Sequence, residues 1–208
     1  MLDFPYMYNE EYIKEAKQSP FFKMPEIPEL TDINQRIWIV YNLVRYFTDN
    51  NKYILEIGAV LPHYYKINHI VVDKDEVMDG VTNEEILTYT PKEKFDLIVS
   101  ISTFEHIGFN EYSIDEEKYP NKVIEVIKHL KQDCLNDGGT IIITIPIGYN
   151  KTFDEHMING DLDLGERYCL KRTSLTEWVE STFDEVIKTK CSNPYPCANG
   201  IVIFLYRK

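Results

Sequence analysis

Three short apolar runs, each stopped by a polar or flexible residue, organise the chain: Tyr53-Ile54-Leu55-Glu56-Ile57 before Gly58, Ile70-Val71-Val72 before Asp73, and Phe95-Asp96-Leu97-Ile98-Val99 before Ser100. They are too short for ordinary helices, rich in Ile and Val, and without the alternation of a strand that has one wet face. That pattern predicts a parallel sheet covered on both sides. A fourth run, Thr140 to Pro146, reads the same way. Helical spacing returns between the runs. Ile33, Ile37, Val40, Tyr41, Val44 and Phe47 fall on one face, behind a capping box of Asp32 and Gln35. Val123, Ile127, Leu130 and Cys134 do the same after Pro120 at a first helical position, until Asp137-Gly138-Gly139 breaks the helix. Strand, helix and strand in repetition give an α/β sandwich of three layers.

Residues 1–31, with Pro5, Pro20, Pro25, Pro28, many aromatics and one short helical stretch from Glu10 to Gln18, read as an arm packed on a main domain of residues 32–208. Val81 to Thr90 reads as a short strand or a turn around Glu84-Glu85-Ile86. Gly108 to Tyr119 is polar, and Gly148 to Arg172 is a polar insertion without clear periodicity, long enough to be functional or mobile. Ser174 and Glu177 form a capping box that predicts a short helix containing Trp178. Phe183 to Thr189 and Gly200 to Tyr206 read as a closing antiparallel pair at the sheet edge.

At 208 residues the chain suits one domain with a proper core. Its formal net charge of -12 opposes nucleic acid and anionic lipid at long range, and only Lys171-Arg172 and Lys188-Thr189-Lys190 hint at a basic patch. Cys134, Cys169, Cys191 and Cys197 form no C-x-x-C pair, so reduced thiols are expected, with Cys191 and Cys197 bracketing a turn-rich loop. With no basic-then-apolar leader and no run of membrane-spanning length, the expected location is the cytoplasm, away from membranes.

Ligands of such sheets collect at the carboxyl ends of the strands, where Gly58, Asp73 and Ser100 stand. A glycine there admits a ligand close to the backbone. An acid ending the next strand is suited to accept hydrogen bonds from a ribose. In order and spacing, Leu55-Glu56-Ile57-Gly58, Val72-Asp73, Phe95 to Ser100, Phe104-Glu105-His106-Ile107 and Gly138-Gly139-Thr140-Ile141-Ile142-Ile143 together resemble the class I S-adenosylmethionine-dependent methyltransferases, in their small-molecule, type 11-like subgroup. The resemblance spans residues 32 to 206. It implies a Rossmann-like, mostly parallel seven-stranded sheet with an antiparallel edge strand, and S-adenosylmethionine as cofactor.

The resemblance further implies that Glu56, Gly58, Ala59, His63, Asp73, Glu85, Ile86, Ser100 and Ser102 surround the cofactor. Glu85 would accept from the adenine amine, Ile86 would pack on the ring, and Ser100 and Ser102 would lie beneath the sulfonium. The plainer readings are an acidic loop with one core isoleucine, and serines that satisfy turn backbone. In place of the family's G-x-G-x-G, Gly58 is followed by Ala59-Val60-Leu61-Pro62-His63-Tyr64. A reshaped loop, with His63 or Tyr64 at the cofactor, and a domain that has lost the cofactor are the two alternatives.

Methyl transfer to an aliphatic hydroxyl needs proton removal, for which His106 is the first candidate and Glu105 the second. Their structural alternative is a turn cap and a surface ion pair. Tyr6, Tyr8, Tyr112, Tyr149, Arg167 and Tyr168 lie in the variable segments, where aromatics beside Asn, Asp and Arg suit a small-molecule or glycan-linked acceptor, a sugar or nucleotide sugar. No pair of His or acids stands at metal-ligand spacing on one helix, so no metal is expected. The G-x-G-x-x-G of a nicotinamide oxidoreductase is absent, and Ser100-Ile101-Ser102-Thr103 replaces the N-P-P-Y-like tetrapeptide of nucleic-acid methyltransferases. The competing function is a non-catalytic interaction domain on the same fold, with the arm as a candidate homodimer surface.

Overall fold

The computed structural model describes residues 40, 44, 47–50, 52–63, 66–109, 119–175 and 177–208. The N-terminal arm, the Asp32 capping box, Tyr64 and Tyr112 lie outside the described residues.

One eight-stranded sheet runs through the molecule in the order β3-β2-β1-β4-β5-β8-β6-β7. Strands β1 (Ile54–Ile57), β2 (Ile70–Val72), β3 (Val81–Thr82), β4 (Phe95–Ile101) and β5 (Leu135–Pro146) pair in parallel. The order 3-2-1-4-5 is that of a Rossmann-like sheet. Beyond β5, β8 (Gly200–Arg207) runs antiparallel, and β6 (Glu166–Arg172) and β7 (Trp178–Ser181) complete the sheet by antiparallel pairing.

Alternate residues of each central strand serve opposite cores. Leu55, Ile57, Ile98, Ile141, Ile143 and Phe204 belong to one, with Val123, Val126 and Ile127 of α1 (Lys122–His129) and Phe153 and Met157 of α2 (Lys151–Asn159). Ile54, Leu97, Val99, Ile101, Ile142 and Ile203 belong to the other, with the helical Val40, Val44 and Phe47. Both faces are therefore dry, which is why the strands read as continuous apolar runs.

Four local expectations change. The stretch Gly148–Arg172 contains α2 and β6. Helix α2 buries only Phe153 and Met157, so its periodicity is faint; its caps carry the signal. The Asn150 side chain accepts the Phe153 N–H, and Gly160 closes the end in the left-handed region at φ 77°. Trp178 lies in β7: the Glu177 N–H does donate to Ser174 Oγ (3.1 Å), but the turn is that of the β6–β7 hairpin. Phe183–Val186 is a short helix, α3, and β8 sits inside the sheet between β5 and β6. The sheet has eight strands where seven were expected, with β6 and β7 unforeseen and the Phe183 segment helical.

Candidate functional site

The register sets Val72, Ile57, Ser100 and Ile143 side by side, so the residues that follow β1, β2 and β4 share one rim. Gly58 takes φ 85°, and a Cβ there would lie 2.0 Å from Thr103 Oγ1. The close approach that requires glycine is thus made by Thr103 of the β4 loop. Asp73 is the hub of the rim. Its Oδ1 accepts from the Asp75 and Glu76 N–H groups (both 2.8 Å), and its Oδ2 accepts from the Ala59 N–H (3.2 Å). Asn83 Nδ2 donates to the carbonyls of Asp73 (3.1 Å) and Glu76 (2.6 Å), clamping the turn.

Glu56 does not face the rim. It is fully buried, its Oε1 accepting from the N–H groups of Val60 (3.0 Å) and Leu61 (2.7 Å) and its Oε2 from His69 Nε2 (2.7 Å). It holds the loop from inside. Ser100 is likewise withdrawn, with Oγ donating to the Ile57 carbonyl (2.9 Å) and joining β4 to β1. Ile86 is buried in the core that includes α1, and Glu85 pairs with Lys122 Nζ of that helix (2.6 Å). Neither is presented as an open adenine platform. His63 ends a 3-10 turn, Leu61–His63, with its side chain 43% exposed and 3.7 Å from Glu76 Oε2.

Ser102 has the backbone of a strained residue, φ 47°, and its Oγ is buried with no hydrogen-bond partner among the described residues. Just beyond it the 3-10 turn Phe104–His106 brings His106 against Tyr149, ring centroids 5.0 Å apart. Glu105 is 2% exposed, and its carbonyl receives Asn150 Nδ2 (2.7 Å). Of the two base candidates, His106 is the one with an accessible side chain. Next to this turn, Ile107, Phe109, Pro120, Asn150, Thr152 and Phe153 help to line an open pocket of about 140 Å³.

Asp154 accepts from the Gly148 N–H (3.0 Å), and burial pushes its carboxyl up to about 6. Asp154 and Asn150 together tie α2 to the turn that carries Tyr149. His156 is occupied away from the rim, its ring nitrogens lying 2.8 Å from Asp161 Oδ2 and 3.2 Å from the Pro120 carbonyl.

Arg167 and Tyr168 do not join the site. They lie within β6, three strands from β4, with the Arg167 guanidinium over the Phe183 ring and the Tyr168 hydroxyl on Glu166. Arg172 is 4% exposed and belongs to no surface patch. All four cysteines are free thiols, and burial pushes Cys134 up to about 11. No helix among the described residues is long and apolar enough to cross a membrane.

The residues that sequence reading passed over are Thr103, His69, Asn150 and Asp154. Asn150 and Gly160 bracket α2 as caps, a signal present in the sequence. The Glu56–His69 and Gly58–Thr103 contacts join separate segments and leave no local mark.

No protein-family model matches the chain, and no curated protein matches it in sequence. Among solved structures, the chain is similar to the N-methyltransferase NodS from Bradyrhizobium japonicum WM9 in complex with S-adenosyl-L-homocysteine, at 12% identity and a TM-score of 0.46, over 98% of each chain. It is similar to TehB from Haemophilus influenzae at 15% identity and a TM-score of 0.47, over 87% of this chain and 67% of that one. It is also similar to an S-adenosylmethionine-dependent methyltransferase from Clostridium acetobutylicum at 12% identity and a TM-score of 0.39, over 96% and 98%. The functional reading rests on this chain's own residues.

Proposed function

We propose that the chain is an S-adenosylmethionine-dependent methyltransferase acting on a small or glycan-linked acceptor, at oxygen. The observation that carries the reading is Asp73: an acid at the end of β2 whose Oδ2 accepts, among the described residues, the Ala59 N–H alone and keeps a lone pair for a ribose hydroxyl. The donor set fits such a cofactor in a second respect. The buried, unpartnered Ser102 hydroxyl at the end of β4 would be satisfied by a polar ligand group.

When bound, S-adenosylmethionine supplies an electrophilic methyl on a sulfonium. The chain's own contribution is alignment and proton management. Asp73 and the loop after β1 orient the nucleoside end. His106 takes the proton from the acceptor hydroxyl, and Tyr149 offers an aromatic face beside it on which the apolar face of a sugar ring stacks. The adjoining open pocket leaves room for the rest of the acceptor. A neutral imidazole is suited to accept that proton near physiological pH.

Calorimetric titration with S-adenosylmethionine and S-adenosylhomocysteine tests the first half. Micromolar binding by the wild type, lost in Asp73→Ala, is the expected result. A screen of nucleotide sugars tests the second, with His106→Gln expected to lower kcat by roughly 100-fold and leave S-adenosylhomocysteine affinity unchanged. Absence of binding by folded wild-type protein overturns the reading in favour of the interaction domain. The filling of the space beside Gly58 by Thr103 is the observation that would then explain it.

A further inference from the structure

We infer that His69 is a positioning residue that sets the shape of the loop after β1 through Glu56, and thereby the affinity of the site that Asp73 completes. The inference rests on the cofactor reading above for its functional half, and on geometry alone for its structural half.

A loop that has lost its glycines cannot lie flat against a ligand by backbone freedom, and here it turns instead through the 3-10 segment Leu61–His63 with Leu61 fully buried. Burying that turn strands the amide hydrogens at its start, and buried N–H groups need acceptors. Three consecutive ones are taken by carboxylates: the Ala59 N–H by Asp73, the Val60 and Leu61 N–H groups by Glu56 Oε1. One side of the Glu56 carboxylate is therefore committed to the loop. The other oxygen points into the protein, where an unsatisfied charge would be costly. His69 Nε2 meets it at 2.7 Å, the two side chains being 4% and 0% exposed. A carboxylate only accepts, so Nε2 donates.

The consequence is a chain of fixed contacts from β2 to the rim. His69 precedes β2 and Asp73 follows it, so the same strand anchors both acids that hold the loop. If His69 is removed, Glu56 must either take a proton or turn toward another donor. A carboxyl that turns lets go of Val60 and Leu61, and one that takes the proton on Oε2 holds them only through a neutral, weaker acceptor; both loosen the turn next to the Ala59 N–H that Asp73 holds. His69 touches no ligand in this scheme. It acts through Glu56, which distinguishes it from Asp73.

Full-length wild type, His69→Ala and His69→Gln separate the two halves. Gln places an amide N–H close to the position of Nε2 and should preserve the strut. Hydrogen exchange of the segment 59–63 is the readout without ligand. It is expected to quicken by about tenfold in His69→Ala, to stay near wild type in His69→Gln, and to leave β5 and β8 unchanged in both. S-adenosylhomocysteine affinity is expected to fall by about tenfold in His69→Ala and to recover in His69→Gln, with kcat at saturating cofactor unchanged. Equal exchange in wild type and His69→Ala overturns the inference. So does quickened exchange with equal affinity, because the loop would then not govern the site. Quickened exchange in His69→Ala, together with a wild type that binds no cofactor, overturns the cofactor reading while the strut still holds the loop.

Discussion

Two regions at the same rim of the sheet are fastened by opposite chemistry. The loops after β1 and β2 present N–H groups inward, and two carboxylates collect them: Glu56 takes two and Asp73 three. The loop from Lys190 to Asn199 presents carbonyls inward, and cationic or amide donors collect those. Arg172 donates to the carbonyls of Ser174, Leu175, Pro196 and Ala198, and Asn199 Nδ2 to those of Lys190 (3.1 Å), Tyr195 (2.8 Å) and Cys197 (3.2 Å). The difference bears on function. A carboxylate oxygen that accepts one N–H retains capacity for a hydroxyl, whereas a guanidinium spread over four carbonyls, two in the β6–β7 turn and two in the 190–199 loop, is committed to the backbone it joins. The proposed cofactor site therefore belongs with the parallel half, and the antiparallel half braces its own backbone.

The sharpest way to break the brace is Arg172→Met. The cation is 4% exposed, and its loss leaves several carbonyls without donors. A destabilisation of about 4 kcal/mol is expected by urea denaturation, since truncating one partner of a buried, charge-assisted network leaves the others unsatisfied. Cofactor affinity of the fraction that remains folded should not change. If affinity falls with stability, the two halves are coupled and the contrast between them fails.

Gly58→Ala attacks the other half. A Cβ 2.0 Å from Thr103 Oγ1, on a backbone at φ 85°, should cost about 3 kcal/mol, part of it steric and part conformational. Thr103→Ala removes the hydroxyl and the methyl while the backbone strain stays. A double-mutant cycle is expected to show a coupling of about 1 kcal/mol. A coupling near zero would mean that the loop moves away from β4 freely, leaving no rigid rim.

Asn150 joins the two halves and does two things at once, capping α2 through Oδ1 and donating Nδ2 to the Glu105 carbonyl. Asn150→Ala should cost about 2 kcal/mol, the sum of a lost cap and a buried carbonyl without its donor. Asn150→Ser keeps an oxygen at the cap and loses the donor that reaches the Glu105 carbonyl. A smaller stability loss with the same fall in kcat would show that the tie to the His106 turn, not the helix, is what the reaction needs.

The same contrast governs what could be read in the sequence. The parallel half was legible because each strand is buried on both faces and stops at the polar residue that forms the rim, so Gly58 and Asp73 stood out. Ser100 stood out for the same reason and Glu56 through the family resemblance, but both turn inward, because a strand's polar residue can satisfy a neighbouring carbonyl or loop as readily as a ligand. The antiparallel half was obscure. β6 mixes buried Cys169, Leu170 and Arg172 with partly exposed Tyr168 and Lys171, a pattern with no clean period. Ser174 and Glu177 form the contact of a helix cap inside a hairpin, so the local interaction was right and the element wrong. Arg167 and Tyr168 were misplaced with β6. Tyr149 and His106 do come together, through a tilted ring contact across separate segments.

The smallest expected effect sharpens the link between α2 and the rim. Burial raises the Asp154 carboxyl from its ordinary 3.8 to about 6, while the Gly148 N–H pulls it down and Glu155 adds to the rise. Below pH 3.8 the group is protonated folded and unfolded, and no cost arises. Between 3.8 and 6 the folded state holds the proton more tightly, so stability falls as pH rises, and above 6 the full cost of the buried charge is present. Asp154→Asn keeps an oxygen for the Gly148 N–H and removes the titration. It should therefore match wild type near pH 3.5 and exceed it by about 1 kcal/mol at pH 8, a figure reduced for the group's partial exposure. Urea midpoints across that range measure the difference. A variant equal to wild type at both ends would show that the charge is well solvated where it sits, and that the oxygen that accepts the Gly148 N–H, not the charge, is what ties α2 to the turn bearing Tyr149.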